Sequence, residues 1–430
     1  MIGLLLCEKV RMAKKEIFTG VDLGSSHFRV VIGEETESGL PLRIIGVGSV
    51  PASGVRRGTV TNPEEAAKAL LAAIERAEHM SGAQIETVTA ALSGADMFCE
   101  ASQGVVAIGR ADGEVAVDDV DRVLGEAHAR ATLSPNQEIL HIFPRGFRLD
   151  DQKNLRDPIG LKGVRLEVNA LVIGMGSMPS RNASRLFEIA KANLDFVVAS
   201  PLAAAQAVLS EKQKDLGVVL VVIGSGATSL AVFEEGELLH VAAIPIGGGH
   251  ITNDIAIGLR TSIEVAEAVK LSYGHALPES IDRREEIVLS KFDTNEDGVV
   301  SRRHVGEIIE ARLEEIFQFV NEELKRIGKD GLLPGGVVLT GGTSLLPGAI
   351  ELAKDVMRLP VHVGYPEPLG GVFDQVDAPD FSVAVGALLL ARDHGKDGIQ
   401  ASSSSIIDFV PKIMVEWGKK AKKISDRFLP

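Results

Sequence analysis

Short apolar runs that end in glycine-rich turns recur along the chain. The first run, Ile17 to Leu23, leads into Gly24-Ser25-Ser26 and is followed by the apolar return segment Phe28 to Gly33. Residues 217–233 repeat this order, with Gly224-Ser225-Gly226-Ala227-Thr228 as the turn. Apolar runs that flank a glycine turn are typical of β-hairpins. The repeat predicts a chain built from two related halves.

Helical patterns separate these strand-like runs. Alanine and leucine recur at helical spacing from Pro63 to Met80,. A second helix is predicted from about Gly348 to Arg358, after a third glycine-rich turn, Gly341-Gly342-Thr343-Ser344, that ends the apolar run Val337 to Thr340. Alternation of strands and helices predicts an α/β fold.

Two segments depart from this alternation. From about Asp96 to Val172, one predicted helix, Val117 to Ala131, is followed by strand-like segments at 138–147 and 164–173, which indicates an inserted subdomain. Residues from His250 to about Asp330 are rich in helix formers and charge, and we interpret them as a second insertion,.

The last residues have a strongly one-sided pattern. A Gly- and Ser-rich linker, 397–408, precedes a segment, 409–430, whose apolar side chains share one face of a helix,. That apolar face consists of Val410, Ile413, Met414, Trp417, Ala421, Ile424 and Phe428. The other face carries Lys412, Lys419, Lys420, Lys422, Lys423 and Arg427. The pattern predicts an amphipathic helix.

Charge distinguishes this helix from the rest of the chain. The whole chain has a formal net charge of -14, so nucleic acid is not expected as a partner,. The segment from Lys412 to Arg427 has six cations and two carboxylates, a net charge of +4. Such a helix is expected to lie in the interface of an anionic bilayer. The alternative is packing on the body or in a coiled coil, but Pro411 and Gly418 disfavour a long coiled coil,.

Other classes of protein are disfavoured. The chain has only two cysteines, which do not form a CxxC pair, and we therefore expect neither a disulfide framework nor structural zinc,. No G-x-x-x-x-G-K-[ST] loop is present,. Asp293 to Gly298 imitate the start of an EF-hand loop, but His304 stands where the bidentate Glu belongs, so we predict a surface turn,.

The glycine-rich turns are suited to a polyphosphate. Gly and Ser in tight turns allow backbone N–H groups to approach an anion without a Cβ in the way. Asp22 precedes the first turn and is suited to hold a hydrated Mg²⁺,. Ser25 and Ser26 can bond phosphate oxygens, and Arg29 can supply a cation,. Each turn alone is better explained as a plain hairpin, but three in this order predict a nucleotide site.

Together these motifs resemble the cell-division protein FtsA family of the actin and Hsp70 superfamily. The resemblance runs from about Glu16 to Ala391 and includes the tail. It is carried by the segments Gly20 to Ser26, His141 to Pro144, Asp157 to Leu161, Gly163 to Glu167, Ile244 to Gly248, Asn253 to Ala256, Ala266 to Lys270 and Val338 to Ser344. Their order and spacing make the resemblance specific.

The resemblance implies an actin-like, duplicated ribonuclease H-like fold of two lobes with an inserted subdomain and a C-terminal amphipathic helix. Lobe I would comprise residues 16–95, 173–208 and 376–396, and lobe II residues 209–249 and 331–375. The inserted subdomain, 96–172, would contribute contacts along a polymer. The second insertion, 250–330, would recruit the partner protein and face the nucleoside.

The resemblance also implies ATP or ADP as ligand, with Mg²⁺ held by Asp22 through water. The implied nucleotide-binding residues are Gly24, Ser25, Ser26, Arg29, Gly224, Ser225, Gly226, Ala227, Thr228, Gly247, Gly248, Glu267, Lys270, Gly341, Gly342 and Thr343. The expected role is to attach the FtsZ ring to the inner face of the cytoplasmic membrane at the division site. Expected partners are FtsZ, further copies of the chain, other division proteins and the anionic membrane surface.

The chain departs from the family's second phosphate motif. Val222 and Ser229 stand where the family has acidic residues, and Ser200 stands where catalytic relatives have Glu or Gln. Loss of these groups should weaken metal handling and hydrolysis more than phosphate binding by backbone N–H groups. We therefore expect slow or absent turnover. An ATPase of the same superfamily and a pilus-assembly relative are the alternatives.

Overall fold

The computed structural model describes residues 16–35, 42–296 and 298–396. The predicted linker, 397–408, and the predicted membrane-binding helix, 409–430, lie outside the described residues.

The strands lie mostly in the regions where the sequence alternates short apolar runs with turns. They are β1 (Glu16–Leu23), β2 (His27–Glu35), β3 (Arg43–Pro51), β4 (Val55–Arg56), β5 (Thr59–Val60), β6 (Val88–Leu92), β7 (Phe98–Ala107), β8 (Gln137–Leu149), β9 (Gln152–Leu155), β10 (Arg165–Gly176), β11 (Leu194–Ala199), β12 (Val218–Ile223), β13 (Thr228–Glu234), β14 (Glu237–Ile244), β15 (Glu286–Val288), β16 (Val299–Ser301), β17 (Val337–Thr340), β18 (Val361–Val363) and β19 (Gly370–Gly371).

The α-helices follow the segments with helical periodicity. They are α1 (Pro63–Ser81), α2 (Val117–Arg130), α3 (Ser177–Ala190), α4 (Ser200–Val208), α5 (Glu211–Leu216), α6 (Gly248–Leu259), α7 (Ile263–Tyr273), α8 (Arg302–Arg326), α9 (Ala349–Met357) and α10 (Ser382–Lys396). Several begin at side-chain caps. Asn62 accepts a hydrogen bond from the Glu65 N–H at the start of α1, and Ser262 accepts one from the Val265 N–H at the start of α7,.

Two sheets share one plan. In the first sheet the order is β11-β6-β1-β2-β3-β19, and in the second it is β14-β13-β12-β17-β18. Each contains a hairpin, β1–β2 or β12–β13, whose first strand also pairs in parallel with a later strand, β6 or β17. The two hairpins predicted from the sequence are both present. We call the halves built on these sheets lobe I and lobe II.

A third sheet lies between β6 and α3 in the chain. Its order is β7-β10-β8-β9, and α2 packs against one face of it through Val120, Val123, Leu124 and Ala127. The sheet contributes residues such as Ile142 and Val168 to that core. The opposite face of β10 carries the polar residues Glu167 and Asn169, but further along the strand Leu171 and Ile173 are buried in a cluster with Leu220 and Val241 of lobe II.

The segment 250–330 does not form a separate core. Its longest helix, α8, buries Ile309 and Phe317 in the same hydrophobic cluster as Val219 and Leu339 of the lobe II sheet. The segment predicted as an insertion is therefore packed into lobe II along one side of the sheet.

Helix α10 lies close to the backbone of lobe I. A Cβ on Gly20 of β1 would overlap backbone atoms of Ala384 and Leu388 in α10. A Cβ on Gly386 would overlap the carbonyl of Ala203 in α4. Glycine at these positions allows helix and strand to approach more closely than any other residue permits.

Within the described ranges, none of the helices is both long enough and apolar enough to cross a bilayer.

We expect Gly386→Ala to lower the stability of the chain by about 2 kcal/mol or more, because the added methyl group meets backbone that cannot rotate away. Gly125→Ala is the matched control. Gly125 lies inside α2, and a Cβ there meets no heavy atom within 4 Å. This control should raise stability by about 0.5–1 kcal/mol. Thermal unfolding followed by circular dichroism would measure both changes, and equal melting temperatures for the two variants would contradict the packing argument.

Candidate functional site

A cleft of about 380 Å³ lies between the two lobes. The turns that follow β1, β12 and β17 form much of its wall, together with residues of α6 and α7. Equivalent strands of two related sheets end at this cleft, so three glycine-rich turns that are far apart in sequence face one space.

The first turn joins β1 to β2. Leu23 and Phe28 are the last paired residues of the hairpin, which leaves Gly24, Ser25 and Ser26 to form the turn. The Ser25 hydroxyl accepts a hydrogen bond of 2.7 Å from the Gly58 N–H. This bond fixes the turn against the neighbouring loop of lobe I.

The second turn joins β12 to β13 and approaches the first. A Cβ on Gly226 would lie only 2.8 Å from the Cα of Arg57 and would overlap the Ser25 hydroxyl. The N-terminus of α6 docks on this turn, because the Gly248 N–H donates to the Gly224 carbonyl at 2.9 Å. Backbone groups of both lobes therefore meet at the cleft.

The third turn follows β17 and begins with Gly341, whose φ of 85° favours glycine,. A Cβ at this position would lie 2.7 Å from the Ile223 carbonyl oxygen. The Ser344 hydroxyl closes the turn by donating to the Gly341 carbonyl at 2.7 Å. The Thr343 hydroxyl donates to the Gly224 carbonyl at 3.4 Å and so connects the third turn to the second.

A polar group lies on α6 and α7 at one end of the cleft. The Lys270 ammonium donates to Glu267 at 2.6 Å, to the Thr252 hydroxyl at 2.8 Å and to the Gly248 carbonyl at 3.3 Å. The Thr252 hydroxyl also donates to Glu267. Lys270 is only 8% exposed, so this pair is not an ordinary surface salt bridge. Its geometry presents the Glu267 carboxylate to the cleft.

Three charged groups lie at the first turn, in lobe I. Asp22 and Arg29 are paired directly across β1 and β2, with 4.0 Å between Arg29 Nη1 and Asp22 Oδ2. Arg29 Nη2 donates to Asp380 Oδ2 at 2.6 Å. Burial raises the pKa of Asp22 to about 6, although Arg29 opposes that rise and Asp380 adds to it. Desolvation is the dominant cause.

Two buried polar atoms that belong to lining residues have no hydrogen-bond partner among the described residues. They are Arg29 Nε and the hydroxyl of Ser200, the first residue of α4. A buried donor without a partner costs about 1–3 kcal/mol. Both atoms are therefore suited to a polar ligand in the cleft.

Val222 and Ser229 lie opposite each other in the β12–β13 pairing and both line the cleft. The carboxylates among the lining residues are Asp22, Glu267 and Asp380. Glu267 belongs to lobe II but is bonded to Lys270, so lobe II supplies no free carboxylate near the second turn. The other two lining carboxylates, Asp22 and Asp380, both lie beside Arg29 at the first turn.

Most of the residues that the sequence analysis assigned to nucleotide binding line the cleft. The exceptions are Thr228, whose hydroxyl donates to the Ile246 carbonyl at 2.8 Å, and Gly247, which precedes α6 and donates its N–H to His250 at 3.1 Å. Sequence reasoning missed other lining residues: His27, Gly58, Ser93, Gly94, Ala243, Leu271, Leu345, Leu346, Pro347, Pro379, Asp380 and Val383. None of these belongs to a repeated glycine motif, so the repeat could not indicate them.

Comparison with known families supports the resemblance seen in the sequence. The family model "Cell division protein FtsA" matches residues 219–386, and the model "SHS2 domain inserted in FTSA" matches residues 94–174. The Cell division protein FtsA of Pseudomonas aeruginosa is 36% identical over 389 residues, which cover 90% of this chain and 92% of the relative. The FtsA of Bacillus subtilis is 37% identical over 380 residues, 88% of this chain and 84% of the relative.

Solved structures share the fold at low identity. The PilM–PilN type IV pilus biogenesis complex aligns with a TM-score of 0.63 at 19% identity, covering 87% of this chain and 98% of that chain. MreB 5 of Spiroplasma citri bound to AMPPNP aligns with a TM-score of 0.53 at 13% identity, covering 89% and 99%. The fold is thus actin-like, with two related lobes and an inserted subdomain.

The extent and level of the sequence matches go beyond a shared fold, since relatives at more than 30% identity align over most of both chains. The chain therefore belongs to the FtsA family of cell-division proteins.

Proposed function

We propose that this chain binds ATP or ADP in the cleft, assembles with further copies of itself and tethers the FtsZ ring to the inner face of the cytoplasmic membrane at the division site. One observation carries the nucleotide part of the proposal. Three glycine-rich turns from both lobes face one cleft, beside the buried Nε of Arg29, which has no partner among the described residues. Such turns accommodate the backbone approach that a polyphosphate requires.

The nucleoside end of the cleft is assigned to α7. Glu267 is held by Lys270 and Thr252, and its carboxylate is 43% exposed, so it is able to accept hydrogen bonds from ribose hydroxyls. The related fold of MreB 5 was solved with AMPPNP, a nucleotide analogue, which supports the same class of ligand here.

Asp22 is proposed to hold Mg²⁺ through water. A carboxylate with 8% exposure and a raised pKa lowers the stability of the folded chain, and such groups occur preferentially at functional sites,. Mg²⁺ keeps most of its waters when it binds through one or two carboxylates. The donor set at this end of the cleft therefore fits an ion bound mainly by water and phosphate.

Hydrolysis is proposed to be slow or absent. Val222, Ser229 and Ser200 line the cleft where catalytic relatives would present acidic or amide side chains. None of the three can act as a general base for the attacking water or orient it as a carboxylate does. Binding by backbone N–H groups does not depend on these residues.

The partner site for FtsZ is proposed to lie on the segment 250–330. Ile257 of α6 and Ile263 of α7, on either side of the turn that joins these helices, and Val299 of β16 are between 50% and 69% exposed. Glu296 fixes the neighbouring loop to this turn by accepting from the Thr261 hydroxyl at 2.6 Å. Exposed apolar side chains on a fixed surface are typical of a docking site. The inserted subdomain, 96–172, is proposed to supply contacts between copies.

Membrane attachment is assigned to the C-terminal segment 409–430. Its sequence combines a net charge of +4 from Lys412 to Arg427 with Trp417 on the apolar face, in a chain whose net charge is -14. Each cation near an anionic surface contributes about 1 kcal/mol at low salt. An anionic membrane repels the acidic chain as a whole, so attachment is proposed to occur through this basic segment.

Gly226→Ala tests the nucleotide site. The added Cβ would overlap Ser25 and Arg57, so the two phosphate-facing turns must separate. We expect ATP affinity to fall by about tenfold or more, since overpacking of this kind costs about 1–3 kcal/mol. Isothermal titration calorimetry with ATP measures the change. Gly125→Ala, which adds the same methyl group far from the cleft, should bind as the wild type does; full affinity in Gly226→Ala would contradict the site.

Asp22→Asn tests two properties of Asp22: its proposed role in binding Mg²⁺ and its effect on the stability of the folded chain. The folded-state pKa of about 6 lies above the usual 3.8, so above pH 6 the ionised carboxylate destabilises the folded chain. We expect Asp22→Asn to be more stable at pH 7.5 by on the order of 2 kcal/mol. The difference should shrink as pH falls from about 6 towards 4 and vanish at pH ~3, below both pKa values, where the wild-type carboxyl is protonated in the folded and the unfolded state,.

The same variant should lose the increase in ATP affinity that Mg²⁺ produces in the wild type. Denaturant unfolding at several pH values and ATP titrations with Mg²⁺ or EDTA provide the two measurements. A variant that is less stable at pH 7.5, or that keeps the full Mg²⁺ effect, would argue against the assignment of Asp22.

Replacing both Trp417 and Phe428 with Glu tests the tail. We expect co-sedimentation with vesicles that contain anionic lipid to be lost, because two charges replace the apolar anchors. The matched control, Ser403→Glu with Ser404→Glu, adds the same charge in the predicted linker and should retain most of the binding. Unchanged sedimentation of the Trp417 and Phe428 variant would refute the role of the tail.

A further inference from the structure

The carboxylate of Asp380 forms an ion pair with Arg29 in the cleft, although the two residues are far apart in sequence. Asp380 lies 351 residues after Arg29, and its Oδ2 accepts a hydrogen bond of 2.6 Å from Arg29 Nη2. The ring of Phe381 lies 5.2 Å from the guanidinium carbon. The side chains of Arg29 and Asp380 are 13% and 27% exposed, so the pair is only partly screened by water,.

The backbone beside Asp380 is held by lobe II. The Pro379 carbonyl accepts hydrogen bonds from the Gly341 N–H at 3.0 Å and from the Thr340 hydroxyl at 3.1 Å. The Ser382 hydroxyl donates to the same carbonyl at 2.7 Å. These bonds do not involve Arg29, so the position of Asp380 does not depend on its ion pair.

Arg29 also has supports other than Asp380. It lies in β2 directly opposite Asp22, and its guanidinium packs over Phe381. Removing the Asp380 carboxylate would leave the strand pairing and the ring contact in place. The carboxylate is therefore not the sole device that orients Arg29.

The charges around Arg29 disfavour a further anion. Asp22 and Asp380 both lie beside the guanidinium and both line the cleft. His27 is the neighbouring titratable group, and burial and Arg29 lower its pKa against the opposing effect of Asp380, which disfavours the charged imidazolium. A phosphate that enters must share or displace Asp380 at Arg29, and it meets a like charge at short range.

We propose that Asp380 sets the nucleotide affinity of the cleft: its carboxylate competes with the phosphates for Arg29 and weakens polyphosphate binding. The inference rests on the proposed nucleotide-binding function and adds a residue that lowers affinity. Weakened binding permits exchange of ligand in a site where hydrolysis is proposed to be slow. Since the competition acts through charge, its effect increases with the number of phosphates and is absent for adenosine.

The test compares Asp380→Asn with the wild type in titrations with adenosine, ADP and ATP. The substitution keeps the shape of the side chain and removes its charge. We expect ADP and ATP to bind about five- to tenfold more tightly, with the larger gain for ATP and no change for adenosine. Asp380→Glu keeps the charge and should bind ATP within about twofold of the wild type. Asp377→Asn is the matched control, because Asp377 is exposed, lies three residues away and does not line the cleft.

Unchanged or weaker ATP binding by Asp380→Asn would overturn the inference, since it would show that Asp380 is neutral or orients Arg29. An effect seen with Mg²⁺ but lost in EDTA would also overturn it, because the residue would then act through the metal. If the wild type binds ATP while Asp380→Asn gives no gain, the inference fails alone. If neither protein binds any of the three ligands, the proposed nucleotide function fails and the inference with it.

Discussion

The structure depends on close approach of backbone to backbone where the two lobes meet. Gly226 of lobe II lies against Arg57 of lobe I. Within lobe II, Gly341 lies against the Ile223 carbonyl, and a Cβ on Gly247 would lie 2.5 Å from the Gly224 carbonyl oxygen, so these contacts hold the second turn in place. Any side chain at these positions would separate the turns. The same constraint that closes the lobes leaves N–H groups at the surface of the cleft, so packing and ligand chemistry have one origin.

The buried charges in this cleft lower the stability of the folded chain. Asp22 remains buried with a raised pKa, and Arg29 is shared between Asp22 and Asp380. A core that served stability alone would favour neutral side chains there. In lobe II, a neutral side chain lines the wall of the cleft at Val222. The charged pair Asp22 and Arg29 lies on the lobe I side, whereas on the lobe II side the charged pair Glu267 and Lys270 is separate from the glycine turn that follows β12.

The segment that begins at Pro379 contacts both lobes, and in the sequence it lies between the proposed nucleotide site and the segment proposed to attach to the membrane. Pro379 bonds to the third glycine turn, Asp380 contacts Arg29, and α10 follows directly and packs on β1 through Gly20. The same helix leads toward the C-terminal segment that is proposed to attach to the membrane. The lobe contact at Pro379, the ion pair of Asp380 with Arg29 and the start of α10 therefore lie within a few residues of one another.

The sequence by itself determined what is encoded locally. Apolar runs around glycine turns predicted both hairpins, helical spacing predicted α1 and α9 to within about two residues, and charge reversal marked the C-terminal segment. Only the tertiary structure decided contacts between distant segments. It placed Asp380 on Arg29, left the Ser200 hydroxyl buried without a partner among the described residues, and packed α8 into the core of lobe II. Periodicity and motif spacing report on neighbours along the chain, whereas these contacts depend on how two sheets and a late helix pack in three dimensions.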